Sequence, residues 1–134
     1  MCQEHFPSFN ALKFEFFCDN KEVKQNVSFL LIYRKNCSKI QEFVDGLNFL
    51  LRAHSVDILL GDFNINYFNS KGREALTLLM ESLHYVQIVK GPTFISGSLI
   101  DHVYIRHTHQ SRIHSTVVSV YYSDHDARRI TIQI

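Results

Sequence analysis

The stretch 57-DILLGDFNINYF-68 guides the interpretation of the whole chain. Its short apolar run ends at Gly61 and is followed by an aspartate and an asparagine two positions apart, Asp62 and Asn64. Successive side chains of a strand alternate between its faces, so residues two apart point the same way. The pattern predicts a buried strand with a carboxylate and an amide projecting together at its end, which suits a metal, a water or a phosphate. A polar turn is the alternative, because Gly, Asp and Asn are common turn residues.

Two further acidic sites lie at the ends of predicted strands. Asp101 lies near the start of the apolar segment 99-LIDHVYIR-106, and the run 123-SDH-125 supplies Asp124 and His125. Carboxylate oxygens are hard ligands that suit Mg²⁺ or Mn²⁺ rather than zinc. A histidine beside a carboxylate suits proton transfer or the stabilisation of a phosphate.

The hydrophobic patterns predict strands that alternate with two helices. Strands are predicted over residues 11–17, 27–33, 57–61, 85–89, 99–106, 115–122 and 128–134. The first ten residues are expected to be irregular, and the nearly continuous apolar run of residues 27–33 predicts burial on both faces. Helices are predicted over 38–53, with Ser38 and Gln41 as a capping box, and over 73–83. The pattern indicates an α/β (α+β) domain in which helices flank a mixed sheet.

The composition fits one globular domain. The chain has 134 residues, of which 46% are hydrophobic and 20% charged, with a formal net charge of +1. No global basic field therefore marks a nucleic-acid-binding protein, although a local basic patch and a metal can serve a nuclease. The three cysteines lack a CxxC pair, which argues against a disulfide framework or zinc site and favours a reducing, intracellular compartment. No signal peptide or membrane-length apolar run is recognised, so no membrane partner is expected.

Three motifs together resemble the C-terminal half of the endonuclease/exonuclease/phosphatase superfamily, which has the deoxyribonuclease I-like fold. They are GDFN at 61–64, GSLIDHVYI at 97–105 and YSDHDA at 122–127. The segments 30-LLIYR-34 and 91-GPTF-94 resemble the tyrosine-bearing strand of that family and the segment before its aspartate. The residues of these motifs are most similar to those of endonuclease-like domains of eukaryotic mobile elements. These include the reverse transcriptase-associated endonucleases of non-LTR retrotransposons and some helicase-bearing transposons.

The resemblance runs from about Phe14 to Ile134 and implies a single partial domain over residues 1–134, a partial deoxyribonuclease I-like β-sandwich. The reaction it implies is metal-dependent hydrolysis of a phosphodiester in nucleic acid, of endonuclease type. Asp62 would bind the metal and orient the attacking water, and Asn64 would hold the scissile phosphate or that water. Asp124 would be a second ligand of the Mg²⁺ or Mn²⁺ ion.

The resemblance also implies roles around the phosphate. His125 would donate a hydrogen bond or charge to a phosphate oxygen in the transition state. Asp101 would hydrogen-bond His125 and hold its tautomer, and Tyr33 would reach the phosphate. His102 is expected to be structural, because on a strand it points to the face opposite Asp101.

The family pattern begins with two further elements, a strand that carries an asparagine and a strand that carries the principal metal-binding glutamate. Glu4 is the nearest candidate for that glutamate, but it adjoins no apolar strand and is interpreted as a surface residue. The N-terminal portion of the sandwich is therefore expected to be missing. Its absence would weaken metal affinity, impair the activity and expose an apolar sheet face.

Three functions stay open at this point. The first is a nuclease for DNA or RNA, completed by a further N-terminal segment or by self-association through the exposed sheet face. The second is a catalytically inactive mobile-element remnant or interaction module. The third is a phosphatase, because the same fold serves both chemistries. The resemblance of the motifs to mobile-element endonucleases favours nucleic acid as the substrate and the nucleus as the location.

Overall fold

A computed structural model describes residues 2–5, 8–19, 24–36, 38–109, 112–120 and 123–133. In these residues the elements follow one another as β1 (Cys2–His5), β2 (Phe9–Asp19), β3 (Lys24–Arg34), α1 (Ile40–Ala53), β4 (Ile58–Asp62), α2 (Ser70–Ser82), β5 (Tyr85–Gln87), β6 (Asp101–Arg106), β7 (Ile113–Val118) and β8 (Ala127–Ile132). A short 3-10 turn, His107–His109, follows β6. Neither α-helix of the described chain is long and apolar enough to cross a membrane.

The strands form a six-stranded sheet and a separate pair. The large sheet has the order β1-β2-β3-β4-β6-β5, and β7 pairs with β8. Strands β3 and β4 are parallel, whereas the other pairs are antiparallel. The prediction of a mixed sheet is therefore confirmed. Because α1 connects β3 to its parallel neighbour β4, the carboxyl ends of both strands lie at the same edge of the sheet.

The two helices cover one face of the large sheet. The apolar stripe of α1 contributes Phe43, Val44, Leu47, Leu50 and Leu51 to this core. The sheet contributes alternate residues, among them Leu30, Ile32, Leu59 and Tyr104. Fully burying one such side chain stabilises a fold by about 1.5–3 kcal/mol. The confirmed arrangement is a sheet flanked by helices, as the 3.6-residue and two-residue periods predict.

The opposite face of the large sheet packs against the β7–β8 pair. Phe29, Ile58, Val103 and Ile105 project from this face and form a second core with Ile113. At the far end of the antiparallel β2–β3 pair, Phe16 and Phe17 are 62% and 75% exposed. Because Ile113 of β7 packs in this second core, the β7–β8 pair lies on the sheet face that the helices leave uncovered.

Two predictions about the N-terminal half are wrong. The described part of the first ten residues is not irregular, because β1 pairs with β2 over Cys2–His5 and β2 begins at Phe9. Glu4 lies in β1 opposite Ala11, so it does adjoin a strand. The second error concerns β3, where Leu31 is 41% exposed. On the face away from the helices Phe29 is buried, whereas Leu31 and Tyr33 are exposed, so the apolar run is buried on both faces only in part.

The predicted capping box of α1 does not form. The hydroxyl of Ser38 donates to the carbonyl of Lys35 (2.7 Å), and Gln41 donates to the Asp45 side chain (2.8 Å). The residue before the helix is Lys39, which makes no side-chain cap. The turn after β3 takes up the serine hydroxyl, and the helix begins two residues later than predicted.

His102 projects from β6 into the helix-side core and is fully buried. Its Nε2 donates to the carbonyl of Ile65 (2.8 Å), its Nδ1 lies 3.2 Å from the Tyr104 hydroxyl, and its ring stacks on Phe63. The expectation of a structural role is confirmed. Burial lowers the pKa of this imidazole from 6.5 to about 4, against hydrogen bonds to backbone carbonyls that favour the charged form.

We expect His102 to make the fold sensitive to acid. An unfolded histidine has a pKa near 6.5, so between pH 6.5 and 4 the unfolded state binds more protons than the folded state. Stability present above pH 6.5 is therefore lost as the pH falls towards 4, by about 3 kcal/mol at the limit for a shift to a pKa of about 4. Urea denaturation of wild type and His102→Gln should show a stability difference that shrinks with acidification. Parallel stability curves would contradict this reading.

Candidate active site

The site is built on one row of paired residues across the large sheet. Tyr33 of β3 is opposite Asp62 of β4, and Asp62 is opposite Asp101 of β6. Directly paired residues project from the same face, and here it is the face towards β7 and β8. The sheet register thus brings together a phenol and two carboxylates that are 29 and 39 positions apart in the sequence.

His125 lies over this row, in the segment between β7 and β8. Its Nδ1 donates to Oδ2 of Asp101 (2.9 Å), and its Nε2 lies 3.8 Å from Oδ2 of Asp62. The predicted hydrogen bond between His125 and Asp101 is therefore confirmed. Asp101 occupies the Nδ1 side of the ring. The other ring nitrogen, Nε2, therefore faces Asp62 and the solvent-accessible part of the site.

The segment 91-GPTF-94, which was noted only for its family resemblance, holds His125 and Asp101 in place. Phe94 forms an isolated β-bridge with His125, and their rings lie 4.9 Å apart. The fully buried Thr93 accepts the backbone N–H groups of Ile100 and Asp101 at its hydroxyl, at 3.1 and 3.0 Å. The 91-GPTF-94 segment thus fixes both the start of β6 and the histidine ring, a role that its sequence alone did not reveal.

Asn64 lies in the loop after β4. Its backbone N–H donates to Oδ1 of Asp62 (3.0 Å), and its side-chain amide donates to the carbonyl of Arg34 (2.7 Å). Its φ of 49° is in the left-handed region, which asparagine tolerates better than most residues. The structure brings Asn64 into contact with Asp62 through the backbone, and its role toward a phosphate stays a prediction.

The other site residues from the sequence lie around this centre. Tyr33 is 51% exposed at the end of its strand. Asp124 is exposed beside His125, and its backbone carbonyl accepts the N–H of Ile95 (2.8 Å). Its charge acts on His125, while its role as a metal ligand stays a prediction.

The charges of the site influence one another. Burial raises the pKa of the Asp62 carboxyl, and the neighbouring Asp101 carboxylate adds to this, against the hydrogen bond from Asn64 and the attraction of His125. Partial burial alone would lower the pKa of His125, but the hydrogen bond and charge of Asp101, with Asp62 behind it, raise it overall. The two carboxylates therefore favour the protonated, cationic form of His125 between them.

Arg128 adds a further positive charge behind the site. In β8 it alternates with the exposed Arg129 and points inward, and its three guanidinium nitrogens are buried without a hydrogen-bond partner among the described residues. Burial lowers the pKa of this guanidinium, while the charges of Asp101 and Asp126 oppose the shift. Because side chains alternate along a strand, Arg128 and Arg129 face opposite sides of β8.

The donor atoms of the site fit a divalent metal. Oxygens of Asp62 and Asp101 and a ring nitrogen of His125 lie within 4.8 Å of one another. Two carboxylates supply the hard oxygen ligands that Mg²⁺ and Mn²⁺ prefer. Asp62 and Asp101 would hold the ion through their carboxylate oxygens. The Nδ1 of His125 would not bind the ion, because it already donates to Asp101.

No protein-family model and no curated protein matches the sequence. Several solved structures match the fold. The endonuclease domain of TRAS1, a telomere-specific non-LTR retrotransposon, is 14% identical with a TM-score of 0.73, over 98% of this chain and 67% of that one. A mannosyl-6-phosphatase of Bacteroides thetaiotaomicron is 16% identical with a TM-score of 0.61, over 94% and 57%. The human Nocturnin catalytic domain with bound sulfate is 15% identical with a TM-score of 0.56, over 92% and 53%. The chain thus spans between about half and two thirds of each of these structures.

Proposed function

Because the chain has the deoxyribonuclease I-like fold of the endonuclease/exonuclease/phosphatase superfamily, we propose that it hydrolyses phosphodiester bonds of nucleic acid as an endonuclease that uses Mg²⁺ or Mn²⁺. One observation carries the proposal. His125 bridges Asp101 and Asp62, at 2.9 and 3.8 Å, at the edge of the sheet face that is turned towards β7 and β8. A carboxylate that orients an imidazole beside a second carboxylate suits metal-assisted attack on a phosphate.

Each residue has a task that follows from its position. Asp101 keeps the Nδ1 proton of His125 in place, so Nε2 is presented to the substrate with a fixed orientation. As a cation, His125 can donate from Nε2 to a non-bridging phosphate oxygen and stabilise the charge that develops there. Asp62, whose Oδ2 lies near that nitrogen, can orient the attacking water and bind the metal together with Asp101.

The metal would supply the remaining charge stabilisation. When bound, a divalent ion polarises a phosphoryl oxygen and lowers the pKa of a coordinated water. Tyr33 and Asp124 flank the centre and would contact the substrate or the ion, as their positions beside Asp62 and His125 allow. The likeness to a retrotransposon endonuclease domain supports DNA as the substrate.

Plasmid nicking tests the proposal. We expect purified chain to convert supercoiled plasmid to open circles in Mg²⁺ or Mn²⁺, to lose this activity in EDTA, and to regain it when excess Mn²⁺ is added. The reason is that one His125 cation does not offset the charge of the Asp62 and Asp101 carboxylates, so a divalent ion is needed before a phosphate can approach. Nicking that survives EDTA would contradict a metal-dependent mechanism.

A parallel assay addresses the other functions of this fold. One solved structure with this fold is a sugar phosphatase, so hydrolysis of a phosphomonoester such as p-nitrophenyl phosphate is measured beside plasmid nicking. Release of phosphate without nicking would replace the proposal with a phosphatase. A folded chain that does neither and binds no Mn²⁺ would indicate an inactive module.

A further inference from the structure

Arg34 ends β3 with its side chain on the helix side of the sheet, and it is only 3% exposed. Its guanidinium donates from Nη1 to the carbonyls of Asn64 (3.0 Å) and Phe63 (3.4 Å). From Nη2 it donates to the carbonyl of Ser38. The ring of Phe43 lies 5.8 Å from the guanidinium carbon. The arginine thus joins three separate pieces of chain, namely the end of β3, the loop after β4 and the turn before α1.

The loop returns the contact. The side-chain amide of Asn64 donates to the carbonyl of Arg34 (2.7 Å), so the two residues exchange hydrogen bonds. The backbone N–H of Asn64 in turn donates to Oδ1 of Asp62 (3.0 Å). A continuous series of bonds therefore runs from Arg34 through Asn64 to Asp62, whose Oδ2 faces His125 at 3.8 Å.

We propose that Arg34 is a positioning residue that sets the orientation of the Asp62 carboxylate through Asn64. The proposal rests on the proposed function, because it takes Asp62 as the metal-binding carboxylate. The N–H of Asn64 lies in the same peptide plane as the carbonyl of Phe63, to which Nη1 of Arg34 donates (3.4 Å), so this bond helps to aim the N–H at Oδ1. The left-handed turn follows at Asn64, where φ is 49°. Arg34 holds that turn from both sides, by donating to the Asn64 carbonyl and accepting from the Asn64 amide. Without it, Asp62 loses the partner that directs Oδ2 into the site.

A purely structural arginine provides the matched control. Arg106 donates from Nε to the carbonyl of Val56 (2.8 Å) and lies over the ring of Tyr85 at 5.4 Å. It therefore makes the same kinds of contact as Arg34, but beside the start of β4 rather than its end. Arg34→Met and Arg106→Met should both lower the melting temperature, and only the first should change the site.

The experiment measures Mn²⁺ binding by calorimetry at a temperature where every variant is folded. We expect Arg34→Met to weaken Mn²⁺ affinity by about tenfold, the lower end of the losses seen when residues behind metal ligands are changed. Arg106→Met should bind like wild type. Arg34→Lys keeps the charge but cannot bridge two carbonyls, so it should also bind more weakly, and it serves as the test if the methionine variant does not fold. Unchanged affinity in the folded Arg34 variant would overturn the proposal.

A second readout separates this proposal from the proposed function. Amide hydrogen exchange at Asn64 reports the bond to Asp62 without any metal. We expect protection in wild type and in Arg106→Met, and loss of protection in the Arg34 variant. If wild type binds no Mn²⁺, the proposed function fails while exchange still tests the role of Arg34. Equal protection at Asn64 in all variants would refute the positioning role.

Discussion

His125→Ala is expected to lower the rate of metal-dependent nicking by about a thousandfold, with little effect on folding. The side chain is part-exposed, so its removal leaves no buried cavity. It removes the donor that faces Asp62 and leaves Asp101 without its 2.9 Å partner. Loss of a positioned donor or acid at a phosphate typically costs 10²–10⁴-fold in rate. Initial nicking rates at saturating Mg²⁺ measure the effect.

A second Asp–His pair makes the comparison specific. His109 donates from Nε2 to Oδ1 of Asp57 (3.1 Å) beside the start of β4, the opposite end from Asp62. Burial alone would raise the pKa of Asp57, but hydrogen bonds from Ser28 and the contact with His109 lower it. His109→Ala should therefore cost some stability and leave nicking at the wild-type rate. Equal loss of nicking in both variants would point to damage to the fold, and full activity of His125→Ala would refute its assigned role.

The centre of the site was predictable because it depends on strand register. Alternation places Asp101 and His102 on opposite faces of β6, and the structure puts one beside His125 and the other in the core. GDFN lies at the end of β4, IDH at the start of β6 and SDH in the segment between β7 and β8, so their polar residues collect at one edge of the large sheet. Local pattern was sufficient to place Asp101 and His102 on their faces of the strand, whereas the pairing of His125 with Asp101 was implied by the family resemblance.

The supports of the site were not predictable from local pattern. The carbonyl partners of Arg34 come from residues 4 to 30 positions away, and a single arginine after a tyrosine carries no signal for them. Thr93 likewise acts on backbone groups of another segment. The short strand β1 exists only because β2 offers it an edge. These features depend on tertiary pairing, which can override local propensity.

Gly61 was expected to end a strand, but it lies within β4, opposite Ile32 of the parallel strand β3. Its φ is +145°, and a Cβ added there would lie 1.8 Å from the Ile32 carbonyl oxygen and 2.9 Å from its nitrogen. These are backbone atoms in the middle of the sheet, so no side-chain rotation can relieve the overlap. Strands β3 and β4 would have to separate, with loss of their hydrogen bonds and of the row that holds Asp62.

We expect Gly61→Ala to lower the free energy of unfolding by at least about 4 kcal/mol, which is a large part of the 5–15 kcal/mol typical of a domain. Gly97→Ala is the matched control, because Gly97 also has a positive φ of +86° but has nothing within 4 Å of an added Cβ. It should cost only about 1–2 kcal/mol, the penalty of a left-handed residue alone. Urea denaturation followed by circular dichroism measures both values. An equal loss in the free energy of unfolding for both substitutions would mean that the fold does not depend on the close approach of Gly61 to Ile32. The tight β3–β4 pairing that aligns Tyr33 with Asp62 would then need another explanation.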